Sequence, residues 1–405
     1  MTMLDDAIIQ QLLAPNDRKI VLLVADGLGG LPREIDGQTE LEAAAKPNLD
    51  SLAQRSACGL TVPVSLGITP GSGPAHLALF GYDPVQYQIG RGVLEALGIG
   101  LEMTPKDVAA RANFATMDGQ GLITDRRAGR IPTEKNAELC RKLQQAIPAI
   151  DDVEVIIRHG KEHRFVVLFR GDGLSGRLAD TDPQREGLPA VEPQAFFQED
   201  IKLAETVKKF VARANQVLQG EHPANSLLMR GFAKHPDIPS LGQRFGLRAA
   251  AIAAYPMYKG LAKLVGMAEL DTGQSIEDEF ETLRLYYNDF DFFYIHVKKT
   301  DSYGEDGNFN AKVQVITELD AALPMVTKLN SDVLAITGDH STPAKMKGHS
   351  WHPNPFLIHS AYVRPDRQDS FTEANCARGS LGRFPAVEAM PLMLAHALKL
   401  SKFGA

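Results

Sequence analysis

Short, unbroken apolar runs that end in an acid mark this chain. Residues 19–25 (KIVLLVA) run into Asp26-Gly27, residues 291–297 (DFFYIHV) into Lys298-Lys299-Thr300-Asp301, and residues 332–337 (DVLAIT) into Gly338-Asp339-His340. Such runs predict strands buried on both faces. Residues 356–359 (FLIH) give a weaker fourth strand. Helical patterns lie between them at 46–55, 275–288, 311–328 and 386–400. Strands alternating with helices predict an α/β domain, a mostly parallel sheet core flanked by helices.

The pattern changes from about residue 106 to residue 219. Residues 110–116 (ARANFAT), 152–158 (DVEVIIR) and 164–170 (RFVVLFR) read as strands with polar alternation, separated by turns such as MDGQG and GDG. This predicts an inserted α+β domain with one solvated sheet face. Joints near Thr104-Pro105 and at 221–225 bound it. The expected division is therefore a domain of 1–105 plus 225–405 and an inserted domain of 106–224.

Composition narrows the function classes. The 405 residues are 44% apolar and 23% charged, with a formal charge of -7. That balance argues against a nucleic-acid or anionic-membrane surface as the main partner. No apolar run approaches the ~18 residues of a membrane helix. The N-terminal stretch MTMLDDAIIQQLLAPNDRK is acidic where a signal peptide is basic. Cys58, Cys140 and Cys376 have no CxxC spacing, and read as buried thiols of a reducing cytoplasm. Nothing in the sequence fixes an oligomeric state.

The acids at the strand ends carry the chemistry. Ligands of open parallel sheets bind beyond the carboxyl ends of the strands, so Asp26, Asp301 and Asp339 are expected to converge there. His340, His349 and Glu305 follow nearby in sequence. Each alone has a bland reading, since Asp-Gly after a strand is usually a turn. Together they read as a divalent metal cluster, because gathered carboxylates repel without a counter-charge. Mixed oxygen and imidazole donors suit Zn²⁺ or Mn²⁺ better than Mg²⁺ or Ca²⁺. In TPGSGPAHLALFGYDP (69–84), two glycines and two prolines surround Ser72 ahead of an apolar run. PGSGP alone is more often a turn. Beside a metal cluster, Ser72 becomes the leading nucleophile candidate, at a helix N-terminus that offers free N–H groups to a phosphoryl group.

These stretches resemble the cofactor-independent phosphoglycerate mutases of the archaeal type, within the alkaline phosphatase superfamily. The likeness also takes in VADGLGG (24–30), GRGVLEALGIG (90–100), DRRAGRI (125–131), YKGLAKLVGM (258–267), HVKKTDSYGEDG (296–307), ITGDHSTP (336–343), GHS (348–350) and CARGSLGRF (376–384), so it spans nearly the whole chain. The resemblance implies a cytoplasmic isomerase that interconverts 3- and 2-phosphoglycerate through a phosphoserine on Ser72, using no 2,3-bisphosphoglycerate. It implies two divalent metals, Mn²⁺ or Zn²⁺ with Co²⁺ or Mg²⁺ as further options. Asp26, Ser72, Asp339 and His340 would hold one, and Asp301, Glu305 and His349 the other. Glu305 stands where the family has histidine, and Gly30 where an aspartate is usual. His352 is a rival to His349, which the GHS motif favours. By analogy with larger mutases, Asp125 is the expected proton acceptor and donor. Arg127 and Arg130 offer bidentate donors to the substrate, Lys259 a phosphate clamp, and Arg230 a further phosphate contact. His76 is expected to bond near the site or merely to cap and pack. His159, His163, His222, His235, His296 and His396 read as structural or exposed. Two rival readings share the motifs: a metal-dependent phosphatase or phosphonate hydrolase, and a non-catalytic relative that binds phosphoglycerate.

Overall fold

The computed structural model describes residues 6–404; Met1–Asp5, where the acidic N-terminal stretch begins, and Ala405 lie outside the described residues. The chain divides into two compact units, one of residues 1–88 with 238–405 and one of residues 89–237. Among the described residues no helix is long and apolar enough to cross a membrane, and all three cysteines are free and buried.

The first unit is built on an eight-stranded sheet. Its order is Ala268–Leu270, Ala249–Ala253, Phe292–Val297, Ile20–Ala25, Val333–Thr337, Asn354–Ser360, Ala57–Val62 and Gly382–Pro385. Every neighbouring pair is parallel except those made by Asn354–Ser360, which is antiparallel to both its flanks. The three apolar runs are its central strands, and each is wholly buried. Helices such as Pro47–Ala53, Ile276–Tyr286 and Phe309–Ala322 pack their apolar faces on it in one core. The expected helix over 311–328 breaks at Leu323-Pro324, where proline supplies no N–H. The one over 386–400 shortens to Ala389–His396 behind a 3₁₀ turn.

Register brings the strand ends to one line. Ala25 pairs with Val297, and Val24 with both His296 and Thr337. The residues that follow, Asp26, Lys298 to Asp301, and Gly338 to His340, therefore leave the sheet at the same edge.

The second unit holds a seven-stranded sheet with only antiparallel pairs. Asp107–Met117 is its long central strand, between Arg164–Arg170 and Ser226–Lys234. Helices Thr133–Ala146 and Ile201–Val217 share a core with it, in which Phe114 stacks on Phe165 at 4.4 Å. Two expectations are corrected here. The unit reaches to residues 89 and 237, because Ser226–Lys234 is a strand of this sheet. On its other side Gly92, in helix Arg91–Gly98, lies against the Ala109 carbonyl, where a Cβ would come within 2.2 Å. The central strands are also buried on both faces, since Ala96 of that helix closes on Ala109 and Val166.

Two buried ionisable groups in the first unit carry predictions. Lys312 is fully buried, and its Nζ donates to the carbonyls of Gly27, Gly29 and Thr342 at 2.8–3.0 Å. It ties the loop after the first strand to the loop after His340. Lys312→Met leaves these carbonyls short of a donor, and is expected to cost about 2–4 kcal/mol. Denaturant unfolding and faster amide exchange at residues 27–30 check this; unchanged exchange there would refute the bracing role. Glu279 is buried on helix Ile276–Tyr286, and burial pushes its carboxyl up to about 8. A carboxyl raised in the folded state keeps its proton where the unfolded chain has lost it. Stability therefore falls as pH rises from the ordinary glutamate range toward 8. Glu279→Gln is expected to stabilise the protein by ~1–3 kcal/mol more at pH 8.5 than at pH 5.5. An equal gain at both would remove Glu279 as the source.

Candidate active site

The sheet edge gathers a compact group of acids and imidazoles. One oxygen or nitrogen from each of Asp26, Asp339 and His340 lies within 4.8 Å of the others, and the same holds for Asp301, His340 and His349. His340 Nε2 is 3.4 Å from Asp26 Oδ1 and 3.1 Å from Asp339 Oδ2. Ser72 is the first residue of helix Ser72–Leu79, and its Oγ lies 3.1 Å from His340 Nε2. His349 Nε2 faces Asp301 Oδ1 at 3.6 Å and Glu305 Oε1 at 3.7 Å. Glu305 is more than half exposed. His352 instead bonds Ser350 Oγ and stacks on Trp351.

Surrounding hydrogen bonds fix both imidazoles. His349 Nδ1 meets the Pro70 carbonyl at 2.9 Å. A carbonyl only accepts, so Nδ1 carries the proton and Nε2 keeps a free lone pair. Thr342 Oγ1 donates to Asp301 Oδ1 at 2.7 Å, so at 2.9 Å it accepts from His340 Nδ1. That again leaves Nε2 free, toward Ser72, Asp26 and Asp339. A histidine held through Nδ1–H with Nε2 open is arranged as a metal ligand. The carboxylates fit as well: Asp26 Oδ1 and Asp339 Oδ2 are buried oxygens without a hydrogen-bond partner, a costly state that a cation relieves. Borderline divalent ions suit these donors.

The other oxygens are held in place. Asp339 Oδ1 accepts from Gly27 N at 3.0 Å. Asp26 Oδ2 accepts from the Tyr258 hydroxyl, from Lys298 Nζ at 2.9 Å and from His296 Nε2 at 3.2 Å. Burial opposes the charge on Asp26, but His296, Lys298 and His340 outweigh it and hold the carboxyl well below its usual range. Lys298 also pairs with Asp301, and against its burial these two acids raise its ammonium. Gly27 has φ +63°, and a Cβ there would meet Thr342 Oγ1 at 2.5 Å. Gly27 is thus required by both conformation and space.

Lys259 is corrected by the structure. Its Nζ pairs with Glu269 at 2.9 Å, while its neighbour Tyr258 and the unassigned Lys298 reach the acids. His296, expected to be structural or exposed, is buried against Asp26. His76 bonds the Ser72 carbonyl at 2.8 Å through Nδ1 and lies 3.2 Å from Asp339. Strand alternation could have found His296, which pairs in register with Val24, two residues before Asp26.

The second unit contains a different kind of site. A cavity of about 190 Å³ is lined by Asn113, His163 and six arginines: 111, 126, 127, 130, 164 and 230. Glu95 pairs with Arg111, and Asp182 with Arg126 and Arg230. Cations therefore outnumber the carboxylates beside them, which suits an anionic ligand. Arg127, Arg130 and Arg230 do come together here. Asp125 is not part of the lining. Its Oδ1 accepts from Arg127 N at 2.7 Å and its Oδ2 from Gly129 N at 2.6 Å. It holds a loop in which Ala128, Gly129 and Arg130 all have positive φ, a conformation that costs of order 1 kcal/mol for each non-glycine residue. Each oxygen takes one backbone donor and keeps a second lone pair. His163, expected to be structural or exposed, is buried at this cavity. The alternation in ARANFAT could have flagged Arg111 and Asn113 on one strand face.

The sequence pattern of the family described as 2,3-bisphosphoglycerate-independent phosphoglycerate mutase matches residues 53–225. A Thermotoga neapolitana protein named probable 2,3-bisphosphoglycerate-independent phosphoglycerate mutase is 55% identical over 397 residues, covering 98% of each chain. A protein of the same name from Aquifex aeolicus is 53% identical over 406 residues, covering 98% of this chain and 100% of its own. The solved structure of the cofactor-independent phosphoglycerate mutase from Thermoplasma acidophilum is similar, with a TM-score of 0.77 and 31% identity over 94% of this chain and 100% of that one. At such identity over nearly its full length, the chain belongs to the 2,3-bisphosphoglycerate-independent phosphoglycerate mutase family.

Proposed function

We propose that this chain is a cytoplasmic isomerase that interconverts 3-phosphoglycerate and 2-phosphoglycerate without 2,3-bisphosphoglycerate, by way of a phosphoserine on Ser72. The observation that carries the reading is Ser72 Oγ at a helix N-terminus, 3.1 Å from His340 Nε2 and beside carboxylate oxygens that lack partners. Ser72 takes the phosphoryl group from one glycerate oxygen and returns it to the other. Free N–H groups of the first helical turn face the transferred oxygens, and Lys298 balances charge at Asp26 and Asp301. Two divalent ions, Mn²⁺ or Zn²⁺ with Co²⁺ or Mg²⁺ as further options, would be held by Asp26, Ser72, Asp339 and His340 and by Asp301, Glu305 and His349. They would supply charge stabilisation to the phosphoryl group and lower the pKa of the serine hydroxyl. The arginine cavity would keep the glycerate carboxylate while the phosphoryl group is on the protein. Asp125 acts on that cavity by holding the loop of Arg127 and Arg130.

A coupled assay from 3-phosphoglycerate, run without 2,3-bisphosphoglycerate after chelation and then with each ion restored singly, tests this reading. Activity is expected to return with metal alone. Ser72→Ala should lose at least ~10³-fold in turnover and lack the phosphoenzyme seen by intact mass. Free phosphate in place of 2-phosphoglycerate would point to a hydrolase. Asp125→Asn exchanges an acceptor for an amide donor, and is expected to raise KM about tenfold with a smaller change in kcat. A fall in kcat at constant KM would return Asp125 to the proton-transfer step.

A further inference from the structure

The cavity of the second unit offers more than positive charge. Arg111 and Asn113 lie two residues apart on strand Asp107–Met117, hence on one face. Arg111 is in register with Arg230, and Asn113 with Arg164. His163 directly precedes the strand Arg164–Arg170, where its carbonyl accepts from Phe114 N at 2.8 Å. This bond fixes the backbone of His163, whose side chain is buried at the cavity.

Three buried polar atoms of these residues have no partner: Arg111 Nε, Asn113 Oδ1 and His163 Nδ1. The carboxylate nearest His163, Glu162 Oε2, is 3.9 Å from Nδ1, beyond hydrogen-bond reach. Burial and the charges of Arg164, Arg111 and Arg127 push the imidazole down to about 4. It is therefore neutral near pH 7, with one ring nitrogen acting as an acceptor. A carboxylate or phosphate answers the arginines but offers nothing to Asn113 Oδ1 or the acceptor nitrogen of His163. Those two need a donor. Leaving a buried acceptor unmet is unfavourable.

We propose that Asn113 and His163 read a substrate hydroxyl, so that the cavity selects a small hydroxy carboxylate over the same anion without the hydroxyl group. The inference rests on the reading that this cavity holds the glycerate. It adds the residues that distinguish a hydroxy acid from any other small anion, and it places a neutral imidazole at the hydroxyl.

Calorimetric titration of the full-length Ser72→Ala protein, which cannot turn over, tests this. The ligands are 3-phosphoglycerate and 3-phosphooxypropanoate, which lacks the 2-hydroxyl. The hydroxylated ligand is expected to bind about tenfold more tightly or better, as at sites built to bond a hydroxyl. In Asn113→Leu and His163→Leu the ratio should shrink to about twofold or less, with the dehydroxylated ligand held much as before. His163→Gln, which keeps an acceptor, should restore part of the ratio. Melting temperatures show which variants stay folded. A ratio near one in the parent, a ratio unchanged in both leucine variants, or an equal loss of both ligands overturns the inference. Failure of the parent to bind either ligand would overturn the placement of glycerate in this cavity and the inference with it. Normal binding with an unmoved ratio would sink the inference alone.

Discussion

Three carboxylates, Asp26, Asp301 and Asp339, are buried at one sheet edge, and the first unit is arranged around keeping them there charged. Like charges at such separations in a poorly solvated place repel strongly. Lys298 bridges two of them, and His296, His340 and the Tyr258 hydroxyl reach the first. The partners supplied still fall short. One oxygen each of Asp26 and Asp339 has none, on the side where Ser72 and the two open imidazole nitrogens stand. The same repulsion that threatens the fold thus makes the site receptive to cations.

The backbone beneath the acids is fixed by a second buried charge. Lys312 ties the carbonyls of Gly27, Gly29 and Thr342. Thr342 in turn sets the tautomer of His340 and bonds Asp301. A lysine on one helix therefore reaches Asp301 and His340 through the carbonyl and the hydroxyl of Thr342. Its burial lowers its ammonium, and Glu40 and Glu373 act against that shift. Positioning by a charge on backbone carbonyls needs no contact with the reacting atoms.

The central strands and the convergence of their acids are legible in the sequence because a short unbroken apolar run between polar flanks suits a strand buried on both faces and little else. The alanine-rich strand Ala249–Ala253 is not legible, since alanine carries no strand preference and only the neighbouring Phe292–Val297 decides its state. Ser226–Lys234 is hidden because the prolines and polar residues before it resemble a linker, which moves the expected boundary by a full strand. In the site, Asp26, Asp301, Asp339, His340, His349 and Ser72 come together as their motif spacing predicts. Lys259 gives way to Lys298 because sequence shows which cations are near a motif but not which way a helix turns them. Alternation can place Asn113 on a strand face, but the unmet polar atoms of Asn113 and His163 are a property of three-dimensional surroundings that no spacing encodes.

The two sites solve opposite problems. The sheet edge of the first unit has too many carboxylates and calls for cations, whereas the cavity of the second has too many guanidiniums and calls for an anion. A hydrolase needs only the first kind of site, since water finishes its reaction and the product leaves. An isomerase that passes a phosphoryl group through a serine must also keep an intermediate that has just lost most of its negative charge. Glycerate retains a single carboxylate and its hydroxyls. Holding so small a monoanion against escape favours several bidentate donors on the carboxylate, and acceptors for the hydroxyls that would otherwise be satisfied only by water. An arginine-rich cavity that also presents Asn113 and a neutral His163 meets both needs. On the proposed reading of that cavity, the difference between moving a phosphoryl group and discarding it lies in the second unit more than in the acids of the first.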